Sequence, residues 1–197
     1  MSDILLLSGG IDSSALATWL RPTLCLTIDY GQQAATAEIH AAQAICGVLN
    51  LHHECLRLPI SQLGCGDMSL SQPCRHSQNS EFWPFRNQLL VTIAAMRAIQ
   101  YDAQRILIGS VCTDLRHADG RKEFIAALNN LLQSQEGELK LSAPAIDMTT
   151  LDLIQQSRIP MEILAWAHSC HISNLACGNC KGCNKHSEIM TALGFIR

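Results

Sequence analysis

Charged residues are scarce in this chain of 197 residues. Lysine and arginine number 14 and aspartate and glutamate 17, so 16% of the chain is charged and the net charge is −3. Soluble domains average about 25% charged residues, and we therefore expect part of the surface to be covered in a homodimer. The small negative charge argues against binding nucleic acid through bulk positive charge, although it allows a pocket that holds one nucleotide.

Long hydrophobic runs are absent as well. The first apolar run, Ile4–Leu7, stops before Ser8-Gly9-Gly10 and is too short for the apolar region of a signal peptide. No stretch approaches the ~20 apolar residues of a membrane span. We therefore expect a cytoplasmic protein that does not enter a membrane. Thiols stay reduced in that compartment, so the ten cysteines indicate metal binding or chemistry rather than disulfides.

The length suffices for one domain, and its first half alternates strand-like and helix-like segments. Such alternation predicts an α/β fold with a doubly wound parallel sheet. The predicted strands are Ile4–Leu7, Thr23–Ile28, His52–Leu58 and Arg105–Gly109. The predicted helices are Asp12–Leu20, Ala34–Leu49, Asn87–Tyr101 and Glu123–Leu132. We assign residues 1–145 to this unit and residues 146–197 to a helical, metal-binding segment packed on the same domain.

Other stretches interrupt or follow this alternation. Residues 59–86 contain several glycines and prolines and are long for a structureless connection, so we expect a functional loop or lid. Pro144–Asp147 is predicted to be extended. Thr149 and Asp152 form a capping box that opens a helix, and Pro160 is expected to start another.

A candidate phosphate loop lies between the first predicted strand and the first predicted helix. Residues Ser8–Ser14 read Ser-Gly-Gly-Ile-Asp-Ser-Ser. A helix N-terminus presents unpaired N–H groups and a partial positive charge, and two glycines let the backbone approach an anion closely. Asp12 is placed to hold Mg²⁺ against the phosphates. The alternative is an ordinary glycine turn in which Asp12 or Ser13 caps the helix.

Four cysteines cluster near the end of the chain. They have the spacing C-x₆-C-x₂-C-x₂-C and are Cys170, Cys177, Cys180 and Cys183. Four thiolates suit a closed, tetrahedral, structural Zn²⁺ site, while the C-x₂-C-x₂-C run also occurs in iron–sulfur proteins. The other six cysteines are scattered, and we interpret them as core or loop residues.

The Ser8–Ser14 segment resembles the SGGxDS loop of the N-type ATP pyrophosphatases. Members of that superfamily cleave ATP to AMP and pyrophosphate and so activate a carboxylate or carbonyl oxygen. The resemblance implies an adenine nucleotide alpha hydrolase-like, Rossmann-like fold that uses ATP and Mg²⁺.

Further segments resemble the QueC family of 7-cyano-7-deazaguanine synthases. They are Asp29-Tyr30-Gly31-Gln32, Arg86-Asn87, Gly109 with Asp114, Asp119–Phe124 and the cysteine cluster. The resemblance runs from residue 4 to about residue 186. It implies a ligase that adenylates the carboxylate of 7-carboxy-7-deazaguanine and transfers it to ammonia, giving the amide and then the nitrile.

The resemblance also assigns roles to individual residues. The implied catalytic residues are Asp12, Ser13, Arg86 and Arg121. The implied ATP-binding residues are Ser8, Gly9, Gly10, Asp12, Ser13, Ser14, Asp29 and Tyr30. The implied substrate-binding residues are Gln32, Arg86, Asn87, Asp114, Asp119 and Arg121. Taken alone, each arginine also fits a surface salt bridge. Asp114 and Asp119 also fit helix caps.

The chain departs from the family pattern on the substrate side. Gln33-Ala34 stands where the family has a basic pair, and Thr150 stands where it has the lysine of Thr-Lys-x-Glu. Phe85 and Gly120 replace a glycine and a cysteine, and the chain is shorter than typical members. These departures leave the ATP loop and the metal site intact while changing the surroundings of the acceptor.

Three alternatives to this function remain open. One is a QueC-like antiviral-defence enzyme that conjugates the activated deazaguanine to an amine of a protein partner. Another is a nucleotide-binding module that has lost catalysis, which Thr150 favours. The third is a tRNA-modifying thiolase, which would need a cysteine pair near the ATP site and a basic face. The net charge of −3 disfavours the thiolase hypothesis.

Overall fold

The chain folds around a single parallel sheet. A computed structural model describes residues 2–69, 71–114 and 116–195, so the last two residues of the predicted 146–197 segment lie outside this part. The strands occur in the order β3-β2-β1-β4-β5, and every neighbouring pair is parallel. Their bounds are β1 Asp3–Leu6, β2 Leu24–Asp29, β3 His53–Arg57, β4 Arg105–Leu107 and β5 Lys140–Ser142.

The four predicted strands are confirmed to within two residues at each end, but the last part of the sheet was predicted wrongly. Pro144–Asp147 forms turns instead of an extended segment, and the strand lies just before it, in β5. A proline has no N–H to donate to a strand ladder. The chain therefore leaves the sheet after Ser142 and turns through hydrogen bonds such as that from Ile146 N to Ala143 O.

Helices connect the strands and follow them. They are α1 Ile11–Leu20, α2 Ala35–Leu49, α3 Arg86–Gln100, α4 Lys122–Gln133, α5 Thr150–Ser157, α6 Met161–Leu164 and α7 Lys181–Ala192. The predicted capping box at the start of α5 is confirmed, with Thr149 and Asp152 bonded reciprocally. In the described part of the chain, no helix is both long enough and apolar enough to span a membrane.

Both faces of the sheet are covered, as the doubly wound prediction requires. Successive side chains of a strand point to opposite faces, and β1 shows this directly. Leu5 belongs to a buried cluster formed with residues of α1, α2 and α5, whereas Ile4 belongs to a second cluster formed with residues of α3 and α4.

The strand order places a crevice at the carboxyl end of β1. The chain proceeds from β1 to β2 and β3 on one side and then returns to β4 and β5 on the other. Connections that leave β1 and β4 therefore diverge, and ligands of open α/β sheets bind where this reversal occurs.

Residues 59–86 are irregular apart from two short 3₁₀ turns, Ser61–Leu63 and Gly66–Met68. This segment packs over the end of β2. Trp83 is buried and meets the ring of Tyr30 edge-on, with 4.8 Å between ring centroids. The suggested role as a lid stays a prediction.

Candidate functional site

A cavity of about 310 Å³ opens at the crevice between β1 and β4. Ser8 and Gly10 line one side, and Gly109 and Ser110, which follow β4, line the next. Its volume lies at the lower end of the range for small-molecule sites, roughly 300–1,000 Å³. The cavity therefore lies at the carboxyl ends of the strands, where open α/β sheets bind ligands.

The candidate phosphate loop forms the start of α1. Gly10 is the N-cap residue, and no described side chain caps the helix. The hydroxyl groups of Ser13 and Ser14 instead donate to Gly10 O, at 3.1 and 2.7 Å. Ser8 Oγ lies 3.2 Å from Ser13 Oγ. Neither Asp12 nor Ser13 acts as an ordinary cap, so the N–H groups of the first turn remain available to an anion.

Gly9 lets this loop pack closely against α2. Its φ is +74°, a region that residues with a Cβ rarely adopt. A Cβ built there would lie 2.7 Å from Glu38 O and 2.9 Å from Ala41 Cβ. The loop conformation therefore depends on glycine at this position.

Two carboxylates and one ammonium group meet beside the loop. Lys185 Nζ lies 2.9 Å from Asp12 Oδ2 and 3.4 Å from Asp114 Oδ1. Burial favours the neutral amine, but the two carboxylates outweigh this effect and raise the pKa of Lys185. The second oxygen of Asp12, Oδ1, is buried and has no hydrogen-bond partner among the described residues. Paired carboxylates with an uncommitted oxygen fit a divalent cation such as Mg²⁺.

The opposite wall of the cavity carries Arg86 and its neighbours. Arg86 Nη1 donates to Met68 Sδ at 3.2 Å, and Tyr30 and Glu38 also line this wall. Burial raises the pKa of Tyr30, and burial also raises the pKa of Glu38 to about 6. This wall can pair a guanidinium with an anionic group beside a carboxyl group, Glu38, whose pKa burial raises to about 6.

The structure brings most of the predicted ATP-binding and substrate-binding residues to one cavity. Those that line it are Ser8, Gly10, Asp12, Ser13, Tyr30, Arg86, Asn87 and Asp114. Those outside its described lining are Gly9, Ser14, Asp29, Gln32, Asp119 and Arg121.

Several residues outside the lining support residues that line it. Gln32 is buried, and its Nε2 donates to Glu38 Oε2 at 2.8 Å. Asp119 accepts a hydrogen bond from Asn87 N at 3.2 Å through Oδ2, and its backbone oxygen accepts another from Asn87 Nδ2 at 3.0 Å. Asp119 thus holds the first turn of α3, which agrees with the capping alternative. Arg121 is the N-cap residue of α4.

The four predicted metal ligands form one cluster. Their Sγ atoms all lie within 4.8 Å of one another, with Cys177 and Cys183 at 3.8 Å and Cys170 and Cys180 at 3.9 Å. Zinc–sulfur bonds of about 2.3 Å in a tetrahedron place the sulfurs about 3.8 Å apart. The cluster fits a single Zn²⁺ better than an iron–sulfur cluster, whose several irons hold the cysteine sulfurs farther apart.

Backbone N–H groups favour the thiolate of Cys177, whereas burial raises the pKa of Cys183 to about 12. Hydrogen bonds from the backbone of Asn179 and of Cys180 lower the pKa of Cys177 to about 6. Cys180 Sγ accepts hydrogen bonds from Cys183 N and His171 N, both at 3.4 Å. Deprotonated sulfurs are the form that binds metal.

The cysteine cluster is joined to the phosphate loop. His168 N donates to Gly9 O at 2.9 Å. The histidines near the cysteines, His168, His171 and His186, line the cavity and are not part of the four-sulfur cluster. The sequence interpretation did not assign these histidines, Glu38 or Lys185 to the ATP or substrate site. Lys185 had one available signal, its position two residues after the last cysteine.

Comparisons with known proteins agree with this geometry. The family described as "Queuosine biosynthesis protein QueC" matches residues 2–193. The chain is 30% identical to the 7-cyano-7-deazaguanine synthase of Desulforudis audaxviator over an alignment of 222 positions, which covers 100% of both chains. It is 32% identical to that of Coxiella burnetii, covering 98% of this chain and 97% of the other. For Methanocaldococcus jannaschii the identity is 26%, with 98% and 96% covered. The chain belongs to the QueC family.

Proposed function

We propose that the protein is an ATP-dependent, AMP-forming ligase that makes 7-cyano-7-deazaguanine from 7-carboxy-7-deazaguanine and ammonia. The observation that carries the proposal is the uncapped N-terminus of α1, which faces the same cavity as Asp12 and Asp114. The names of the relatives, 7-cyano-7-deazaguanine synthase, supply the product class.

The phosphate side of the cavity suits the triphosphate of ATP. The N–H groups of the first turn of α1 and the hydroxyl group of Ser8 donate to phosphate oxygens. Asp12 and Asp114 would hold Mg²⁺, which neutralises charge that develops on the leaving pyrophosphate. Asp12 offers its buried, unpartnered Oδ1 for this purpose.

The reaction then proceeds in two stages. A carboxylate oxygen of the substrate attacks the α-phosphorus of ATP, and pyrophosphate leaves. Ammonia attacks the acyl carbon of the resulting acyl-adenylate, loses a proton and displaces AMP, which gives the amide. A second ATP activates the amide oxygen in the same way, and loss of AMP and the remaining amide protons gives the nitrile.

The Arg86 wall suits the deazaguanine. A guanidinium pairs with a carboxylate or a phosphate through two parallel hydrogen bonds. Glu38, when ionised, accepts hydrogen bonds from the N–H edge of a guanine-like ring. The irregular segment contributes Met68 to this wall.

Two other functions are less well supported. A thiolase acting on tRNA needs cysteines at the ATP site, but no cysteine is among the described residues that line the cavity. A nucleotide-binding module without catalysis needs no paired carboxylates beside the phosphate loop, and this chain has them in Asp12 and Asp114.

The test incubates the purified protein with ATP, Mg²⁺, 7-carboxy-7-deazaguanine and ammonium. Mass spectrometry follows AMP, the amide, the nitrile and the intact protein. We expect AMP to accumulate with the amide and then the nitrile. Replacing Asp12 by Asn should lower pyrophosphate release by about 100-fold or more, because a charge that stabilises the leaving group is lost. The matched control is Asp147→Asn, an exposed aspartate outside the described lining.

Other outcomes would contradict the proposal. Tight ATP binding with no AMP formation would indicate a binding module. AMP formation that depends on an added protein and increases that protein's mass by the deazaguanine acyl group would indicate conjugation to a protein amine. An Asp12→Asn variant as active as the wild type would refute the role given to this carboxylate.

A further inference from the structure

We propose that Lys185 binds the phosphates of ATP, as a cation that α7, the helix that begins within the cysteine cluster, places at the phosphate loop. This inference rests on the proposed function and deepens it, because it assigns a phosphate ligand on an element outside the predicted 1–145 unit.

The position of the ammonium group supports a contact with phosphate. Lys185 lines the cavity, and its Nζ lies 2.9 Å from the carboxylate of Asp12, in the first turn of α1. The N–H groups at the start of that helix are the ones available to an anion. A phosphate bound there would therefore lie within reach of the flexible lysine side chain.

Lys185 keeps binding capacity beyond its two ion pairs. An ammonium group has three N–H donors, and the contacts with Asp12 and Asp114 occupy two of them. The side chain is 39% exposed, so it is open to the cavity rather than enclosed in the core. Each ion pair uses one oxygen of its carboxylate, and the Oδ1 atom of Asp12 stays unpartnered. Lys185 and Mg²⁺ can therefore bind the same phosphates at the same time.

Arg86 is the only other lysine or arginine in the described lining, and it lies on the opposite wall of the cavity. Its guanidinium contacts Met68 Sδ. Although burial opposes its charge, it also interacts electrostatically with Tyr30 and Glu38, which raise its pKa. Thr150 is the first residue of α5, is 2% exposed and does not belong to the described lining. A triphosphate brings several negative charges beside Asp12 and Asp114, so a cation at Lys185 offsets repulsion that would otherwise weaken binding.

The cysteine cluster determines where Lys185 lies. Cys180 is the N-cap of α7, and its Sγ accepts a hydrogen bond from Cys183 N. The first turn of α7 packs so closely on the preceding segment that a Cβ on Gly182 would lie 1.8 Å from Ser169 O. That segment is in turn bonded to the phosphate loop, through His168 N and Gly9 O. The position of Lys185 relative to the loop is therefore set by short, direct contacts.

The test compares Mg·ATP binding by calorimetry in the full-length wild type and in variants. Lys185→Met should raise the Kd for Mg·ATP about tenfold or more, and Lys185→Arg should recover most of the affinity. The matched control is Lys181→Met, one turn earlier on the same helix, where the lysine pairs with Glu81 and lies outside the described lining. The control should keep the wild-type Kd. Metal content and a thermal melt are recorded for every variant.

Steady-state kinetics gives a second readout that a structural ion pair would not move. We expect the KM for ATP to rise in Lys185→Met with little change in the KM for the deazaguanine. If Lys185→Met fails to fold, Lys185→Gln replaces it, because the amide still donates to Asp12 but carries no charge. A folded Lys185→Gln with a wild-type Kd for Mg·ATP would overturn the inference.

The outcomes separate this inference from the proposed function. A wild type that binds no Mg·ATP contradicts the proposed function itself. A wild type that binds Mg·ATP, with folded Lys185 variants that bind it equally well, contradicts only the role of Lys185. A lower melting temperature with unchanged Kd would show that Lys185 merely ties α7 to the loop, and this also overturns the inference.

Discussion

Replacing Gly9 by Ala should both destabilise the protein and impair its ATP chemistry. The residue has a φ of +74°, where the Cβ of an L-residue costs about 1–2 kcal/mol. The added Cβ would also lie 2.7 Å from Glu38 O and 2.9 Å from Ala41 Cβ. Neither neighbour is the end of a flexible side chain, so the loop or α2 must shift.

The two costs combine into a measurable loss of stability. Overpacking of this kind costs about 1–3 kcal/mol, so the total is about 2–5 kcal/mol. For a chain of this length, each kcal/mol lowers Tm by roughly 2–4 °C. We therefore expect Tm to fall by roughly 4–20 °C. The loop shift should also lower pyrophosphate release more than the stability loss alone explains, when activity is measured well below Tm.

The assay is thermal unfolding followed by circular dichroism, with pyrophosphate release measured in parallel. The matched control is Gly47→Ala in α2, where an added Cβ meets nothing within 4 Å. That change should stabilise the helix by about 0.5–1 kcal/mol, because alanine loses less conformational entropy there. If Gly9→Ala matches the wild type in Tm and activity, the described loop conformation and its role in phosphate binding are both wrong.

The remaining predictions concern the metal and the pH dependence. The purified protein should carry about one zinc per chain, and Cys183→Ser should lose most of it while Cys112→Ser, outside the cluster, keeps it; iron with sulfide in the wild type would contradict the zinc assignment. Glu38 has a pKa raised by burial from 4.5 to about 6, so the folded state favours its protonated form and stability is lost as pH rises through that interval. The urea midpoint of the wild type should therefore fall relative to that of Glu38→Gln between pH 4.5 and 6.5, and a constant difference would contradict the raised pKa.

The parts of the site that depend on local sequence were predictable. The strand before Ser8, the glycines of the loop and the helix beginning at Ile11 are contiguous in the chain, so their physical signals occur within one window. The cysteine cluster is equally local, since its four sulfurs come from residues 170–183. Spacing alone therefore predicts which side chains can meet.

The parts that depend on packing were not predictable. Lys185 reaches Asp12 across 173 residues of chain, and no pattern near Lys185 indicates where α7 lies relative to α1. Asp119 was interpreted as a substrate ligand or a cap, and its hydrogen bond from Asn87 N, which agrees with a cap, joins residues 32 positions apart that no local pattern connects. The three-residue strand β5 is too short to show the alternation of apolar and polar residues that marks a strand. The extended segment was therefore predicted too late in the chain, starting at the proline that follows β5.

Under the proposed function, the cysteine cluster bears on ATP binding as well as on folding. A metal that draws the four sulfurs together fixes the first turn of α7, because Cys180 caps that helix and Cys183 lies within it. Helix α7 also places Lys185 beside Asp12. The segment before α7 donates a hydrogen bond to Gly9 O. Loss of metal would loosen these contacts together, so it should weaken ATP binding even where the sheet stays folded. A metal site that its ligand set marks as structural would thus also hold the positive charge of Lys185 beside the phosphate loop.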